Sequence, residues 1–399
     1  MSKPVVVYLD SSDFSVMSDP RQALAHEETR TRCAAWAECG SVQFVFSGIH
    51  LMEMSPTDAA FAPAATARAD LMVDLCRRNA LISIDRLIGA ELDRIESPDA
   101  PIPVAISPDA QWYPAWGNMV SPVQWADASK EVYLNAKEHG LNRQQRRLLK
   151  RALFKEERPT TLMSQILADG ETPFDTTELL ERYPMREQDA QVLMRYVLGQ
   201  GTADEANEAF YESLRDPSWM MRWFAQHHSQ LSPFVTGLRD SAHGLLAPLE
   251  ELFEFVKRMR GMPDLAESNY RTDLLTADGW ARFQDETLLN VTRRFMMVLR
   301  PDITVQLTSD EIDLRCPAIS SFVRSLHSAI RDVTSETPRR PKASDFADGL
   351  HAMYAPYVDI FRADAYMAGH MKRFAAPHGT IIVPRLDQLV AAIEEGIEQ

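Results

Sequence analysis

The stretch VVVYLDSSDFS, residues 5–15, runs five β-formers, Val5 to Leu9, into Asp10 and then into hydroxyls. An uninterrupted apolar run of this length, rich in β-branched residues, reads as a buried strand. A carboxylate at the C-terminal end of such a strand stands where open α/β sheets keep their ligands. It is also the residue that caps the next turn when a strand reaches water. The rest of the chain decides between the two.

Outward from this strand, both ends of the chain alternate strand and helix. DPRQALAHEETRTRCAAWAEC is helical and closed by Gly40; VQFVF, Val42 to Phe46, is a second buried strand. A Ser-Gly turn then opens a helix at IHLMEMS, and ATARADLMVDLCRRN continues helical periodicity. LISI, Leu81 to Ile84, reads as a short third strand. At the far end, a helix opens on Ser344 in ASDFADGLHAMYAP and YVDIF is a strand. DAYMAGHMKRF is a helix, TIIV a strand, and RLDQLVAAIEEGIE a final helix. This alternation predicts a mostly parallel sheet flanked by helices.

The middle of the chain differs. EQDAQVLMRYVLGQ, LLAPLEELFEFVKRMRGM and ISSFVRSLHSAIRDV carry the 3.6-residue period of helices, and only DITVQL looks strand-like. Proline-rich joints at ESPDAPIPVAISPDAQWYPAW and TSETPRRPKAS mark boundaries on either side. The expected organisation is an α/β domain in two pieces, 1–95 and 341–399, interrupted by a large all-α insertion over 96–340. The two pieces together make an ordinary domain of roughly 150 residues.

Composition narrows the function classes. The 399 residues are 45% hydrophobic and 25% charged, a soluble globular balance. No apolar run approaches the ~20 residues of a membrane span, and the N-terminus lacks the pattern of a signal peptide. Cys33, Cys39, Cys76 and Cys316 form no CxxC, so neither a zinc knuckle nor a disulfide framework is indicated and a cytoplasmic setting is expected. A net charge of −15 argues against a broad grip on a phosphate backbone, but leaves room for a local basic groove. HExxH, GxSxG and Walker loops are absent, which removes zincin, hydrolase-elbow and P-loop chemistry. A magnesium phosphatase with a nucleophilic aspartate is disfavoured because Asp10 is followed by Ser-Ser-Asp rather than by a DxD arrangement.

The carboxylates gain meaning together. Asp10 ends the first strand, Glu53 lies in the helix after the second, Asp345 and Asp348 share one helical turn, and Asp364 follows YVDIF. With parallel strands, Asp10, Asp364 and the helix start carrying Asp345 and Asp348 emerge at one carboxyl edge. Crowded carboxylates raise one another's pKa unless a cation neutralises them. A hard, oxygen-seeking ion such as Mg²⁺ or Mn²⁺ suits that set, and it activates water and stabilises phosphoryl transition states. Each acid also has an ordinary role: Asp10 and Asp364 as N-caps, Asp345 and Asp348 as first-turn acids favoured by the helix dipole, and Glu53 as a solvated side chain.

These stretches, in their order, resemble the PIN-domain (PIN-like) metal-dependent nucleases: VVVYLDSS, SGIHLMEM, SDFADGLHAMYA, YVDIFRADAYM and the closing GTIIVPRLDQLVAAI. The resemblance covers about the first 90 and last 60 residues. It implies Asp10, Glu53, Asp348 and Asp364 as the catalytic acids, with Asp345 as alternative or partner to Asp348 in holding Mg²⁺ or Mn²⁺. It also implies help from Ser11 or Ser12, and hydrolysis of phosphodiesters, RNA rather than DNA, to a 5′-phosphate and a 3′-hydroxyl. The interval between Glu53 and Asp345 is longer than in compact members of the family.

Within the insertion, NRQQRRLLKRALFKEER places Arg143, Arg147, Lys150, Arg151 and Arg158 along one helical face, a stripe able to follow a phosphate backbone. The ordinary alternative is a solvated face balanced by Glu156 and Glu157. Trp112, Trp116 and Trp125 offer base-stacking surfaces, or anchors that hold the insertion. His351, one turn after Asp348, reaches the edge of the same region, and Arg362 near the last acid meets either a phosphate or a carboxylate. A competing expectation is an inactive PIN-like module that binds a protein partner through its helices, and a cognate inhibitor is compatible with either.

Overall fold

The computed structural model describes residues 3–97 except 57, parts of 103–160, 176–197, 201–227, 254, 277–333 and, apart from 341 and 343, 339–398. The chain divides into two compact units, Met1–Pro114 with Phe224–Gln399, and Ala115–Trp223.

The first unit is built on a parallel sheet of four strands: β1 (Val5–Tyr8), β2 (Val42–Val45), β3 (Ile360–Arg362) and β4 (Ile381–Val383), in spatial order β2-β1-β3-β4. The registers pair Tyr8 with Val45 on one side and with Phe361 on the other. Its helices are α1 (Ser11–Ser18), α2 (Glu27–Cys39), α3 (Gly48–Met54), α4 (Ala62–Cys76), α5 (Ile84–Glu96), α6 (Ala277–Leu299), α7 (Ser309–Arg315), α8 (Pro317–Val333), α9 (Ser344–Ala352), α10 (Ala365–Ala375) and α11 (Leu389–Glu398).

The apolar strands are buried on both faces because the pleat sends alternate side chains opposite ways. Val6, Tyr8, Val45, Phe361 and Ile382 enter one core with Leu87 and Leu92 of α5, Leu288 of α6, Ile319 and Val323 of α8 and Met367 of α10. On the opposite face Val5 and Ile360 lie against α11, where a Cβ on Gly396 would stand 3.4 Å from Val5. The chain steps from β1 to β2 on one side, then returns past β1 to β3. The direction of succession thus reverses between β1 and β3, and in open parallel sheets the carboxyl ends at such a switch point are where a crevice is expected.

Several sequence expectations change. Ser11–Ser18, between the first strand and the expected helix, is itself a helix: Asp10 caps it, and Phe14 and Met17 bury its inner side. The Leu81–Ile84 strand shrinks to Ala80–Leu81, which pairs antiparallel with Ile106–Ser107 and meets the main sheet through one bridge, Phe46 to Ala80. DITVQL forms no strand, since nothing offers it an edge, and Val305 stays exposed. The helices over 277–333 belong with the sheet. Glu91 of α5 fixes them by accepting the first amides of α8, Ala318 at 2.5 Å and Ile319 at 3.3 Å, together with the Tyr357 hydroxyl at 2.5 Å. The two compact units divide at 114 and 223, whereas the sequence places its joints near 95 and 340.

Where described, the second unit is helical apart from one short antiparallel pair, Phe154–Lys155 with Arg158–Pro159. Glu187–Val197 packs on Ala203–Leu214, and buried Asp189 ties them by accepting from Arg186 at 2.6 Å and from the Ser213 hydroxyl at 2.6 Å. The basic stripe lies on the helix Arg143–Leu153, capped by Asn142 through the Gln144 and Gln145 amides. Among the described residues, no helix is long and apolar enough to cross a membrane.

Candidate functional site

Backbone geometry places two acids at the switch point between β1 and β3. Asp10 and Asp364 lie just beyond neighbouring parallel strands, and each caps the helix that follows. Asp10 accepts the Ser12 amide at 2.7 Å, and Asp364 accepts the Met367 amide at 2.6 Å. Both bonds fall on Oδ1, and the Asp10 side chain also receives the Asp13 amide in a capping box.

The third acid comes from α9. Asp348 is half-buried and makes no hydrogen bond or ion pair among the described residues. Burial, then the charge of Asp10, then those of Asp364 and Glu53 push its carboxyl up to about 8, against the opposing charge of His351. That electrostatic coupling shows that the four sequence-predicted acids share one neighbourhood.

Glu53 belongs to that neighbourhood in another state. Its Oε2 accepts from the Ser11 hydroxyl at 2.6 Å and from His351 Nε2 at 2.8 Å. Burial would raise its pKa, but the His351 charge and these two hydrogen bonds prevail and hold it at about 2. Burial works against a charged His351, while the Glu53 charge and hydrogen bond overcome it and raise the imidazole above its ordinary value. Glu53 and His351 therefore form an ion pair.

The pair rests on a buried polar relay. His351 Nδ1 is 2.5 Å from the Tyr8 hydroxyl, which is 2.7 Å from the Ser47 hydroxyl. The Ser47 amide donates to His50 Nδ1 at 3.0 Å, and His50 Nε2 donates to the Leu9 carbonyl at 2.9 Å. His50 is thereby fixed as one neutral tautomer, and burial followed by the nearby His351 charge lowers its pKa to about 3. Charged His351 can donate from both nitrogens, so the Tyr8 hydroxyl accepts from Nδ1 and donates its own hydrogen bond to the Ser47 hydroxyl.

Beneath the acids lies a second ion pair. Asp13, 1% exposed, is 3.1 Å from Arg362, 7% exposed, and its Oδ2 accepts the Asp10 amide at 3.0 Å. Burial followed by partial compensation from Arg362 raises the Asp13 carboxyl to about 7.

The remaining expected residues lie elsewhere. Asp345, expected among the metal ligands, has both oxygens on Arg339, at 2.8 and 3.0 Å, and accepts the Lys342 amide at 2.9 Å at the start of α9. Ser11 spends its hydroxyl on Glu53 rather than presenting it to a substrate. Arg143, Arg147 and Arg151 are exposed on their helix, and among the described residues no carboxylate pairs with them. Leu148 on the same helix is 60% exposed. Trp112 is packed over Gly48 rather than offered for stacking, while Trp116, Trp125, Glu156 and Glu157 fall outside the described residues.

Sequence reasoning missed Asp13, Tyr8 and His50. The D-x-x-D spacing of Asp10 and Asp13 and the S-x-x-H spacing of Ser47 and His50 are capping-box signals that could have drawn attention to two of them.

Chemically, the edge offers Asp10, Asp348 and Asp364, with no protein cation among the described residues paired with Asp348. Hard oxygen donors and unrelieved repulsion fit a divalent cation such as Mg²⁺ or Mn²⁺. As positioned, no three His, Cys, Asp or Glu side chains among the described residues stand close enough to ligate one ion. No family model, curated protein or solved structure matches the chain.

Proposed function

We propose that the first unit is a divalent-metal-dependent phosphodiesterase of the PIN-like kind, acting on RNA rather than DNA. The observation that carries this reading is Asp348: a half-buried carboxyl beside Asp10 and Asp364, pushed up to about 8 by burial and then by those acids against the His351 charge, with no hydrogen bond or ion pair of its own among the described residues. Asp10, Asp348 and Asp364 would hold the ion. When bound, such an ion lowers the pKa of a water and stabilises charge on a phosphoryl group. Asp348 would have to lose its proton for such an ion to bind, and the helix caps would hold Asp10 and Asp364 in place at the strand ends. Glu53, tied to His351 and Ser11, orients this edge and keeps a fixed negative charge beside it. RNA and the 5′-phosphate product rest on the resemblance to PIN-like nucleases, and the exposed arginines of Arg143–Leu153 are the candidate phosphate contacts.

A labelled single-stranded RNA and the matching DNA, each incubated with Mn²⁺ or Mg²⁺, test this reading. The expected result is metal-dependent cleavage of RNA, with 5′-phosphate ends, abolished in Asp10→Asn and Asp348→Asn. Cleavage that survives EDTA, or no cleavage of either polymer, would contradict it. The wide spacing of the acids favours one second reading, an inactive PIN-like module that binds a protein partner.

A further inference from the structure

Arg362 makes three connections from one guanidinium. Its Nη2 pairs with Asp13 at 3.1 Å, while Nη1 donates to the Ala363 carbonyl beside it and to the Pro384 carbonyl at 3.3 Å. Asp13 in turn accepts the Asp10 amide. One cation therefore links the residue after β3, the residue after β4 and, through Asp13, Asp10 two residues beyond β1. Two residues beyond Arg362 stands Asp364.

Stability alone is a poor reason for this arrangement. Replacing a buried ion pair by packed apolar side chains is often neutral or stabilising. Here Arg362 Nε is also buried with no hydrogen-bond partner, an added cost. A planar fork offering several donors is what fixes three acceptors in space, and Lys cannot reproduce it.

We propose that Asp13 and Arg362 are positioning residues that set the placement of Asp10 relative to Asp364, and thereby the shape of the acid site. The inference rests on reading those acids as one functional site. Neither residue meets substrate or metal. They act through the backbone, as the outer partners of metal ligands do.

The test compares wild type with Asp13→Asn/Arg362→Gln, which removes both charges and leaves the net charge of the pair unchanged. Melting establishes that the variant folds. Two readouts follow: the NMR titration midpoint of the Asp348 carboxyl carbon in metal-free buffer, and Mn²⁺ affinity by calorimetry. If the pair sets the placement, the acids spread, the Asp348 midpoint falls by about one unit and Mn²⁺ binding weakens about 10- to 100-fold. A folded variant with the wild-type midpoint and affinity would overturn the proposal and leave the pair a scaffold contact. Should the double variant not fold, Arg362→Lys, which keeps the charge and loses the fork, carries the same two readouts. Should wild type bind no Mn²⁺, the metal reading fails while the Asp348 midpoint still decides the positioning role.

Discussion

At the scale of the residue, Asp348 is the side chain whose behaviour says most about the site. Its carboxyl titrates near 8 when folded and near the ordinary aspartate value when unfolded, so between those pH values the folded state holds the extra proton. Stability from this group is fully present below about pH 4 and is lost as pH rises through about 8. In EDTA, wild type should therefore lose melting temperature across that window. Asp348→Asn should flatten the slope and melt roughly 3–6 °C higher above pH 8. The same proton competes with a cation, so Mn²⁺ affinity should strengthen up to about tenfold per unit between pH 6 and 8 in wild type, as calorimetry would record. A pH-independent affinity would remove Asp348 from the ligand set. Glu53 behaves oppositely: its stabilising pair with His351 persists above its unfolded pKa and is lost as pH falls toward about 2.

At the scale of the element, the legible features were those that depend on neighbours in sequence. Val5–Leu9 and Val42–Phe46 could be read as buried strands because both their faces are apolar, and Asp10 and Asp364 could be placed because strand ends carry them to one edge. The helix Ser11–Ser18 was hidden by its composition, poor in helix formers, and exists because Asp10 caps it and Phe14 and Met17 pack. The partners of Glu53 were equally hidden, since His351 is 298 residues away and only the fold brings them together. The attachment of α8 was beyond sequence reasoning for the same reason. Glu91, fully buried, satisfies two amides of its first turn and one hydroxyl, so Glu91→Leu should cost about 2–4 kcal/mol in denaturant unfolding. A loss below about 0.5 kcal/mol would show that water or another side chain takes over those donors. Two glycines contrast at the site helices. A Cβ on Gly48, which opens α3, would stand 3.1 Å from the Trp112 carbonyl and 3.2 Å from its ring. On Gly349 of α9 the nearest atom is Phe322 at 3.4 Å, an ordinary contact. Gly48→Ala should therefore lower the melting temperature by several degrees and Gly349→Ala should leave it nearly unchanged. Equal effects would mean that the Trp112 contact yields freely.

At the scale of the whole molecule, a chain of net charge −15 carries its exposed arginine row on one unit and its acids on the other. Under the proposed reading, that row is where a polyanion would meet the chain, since the net charge disfavours a broad grip on a phosphate backbone. The acids themselves make sense as a site only if a cation relieves them. That claim is tested most directly by melting wild type and Asp10→Asn/Asp364→Asn in EDTA and then across a Mn²⁺ titration to millimolar. A ligand held only by the native state must raise its stability in proportion to the logarithm of concentration once the site fills. The expected result is a rising melting temperature for wild type and none for the double variant. A wild type indifferent to Mn²⁺, or a double variant that responds equally, would contradict the account and leave the four acids as caps and ion pairs of the scaffold.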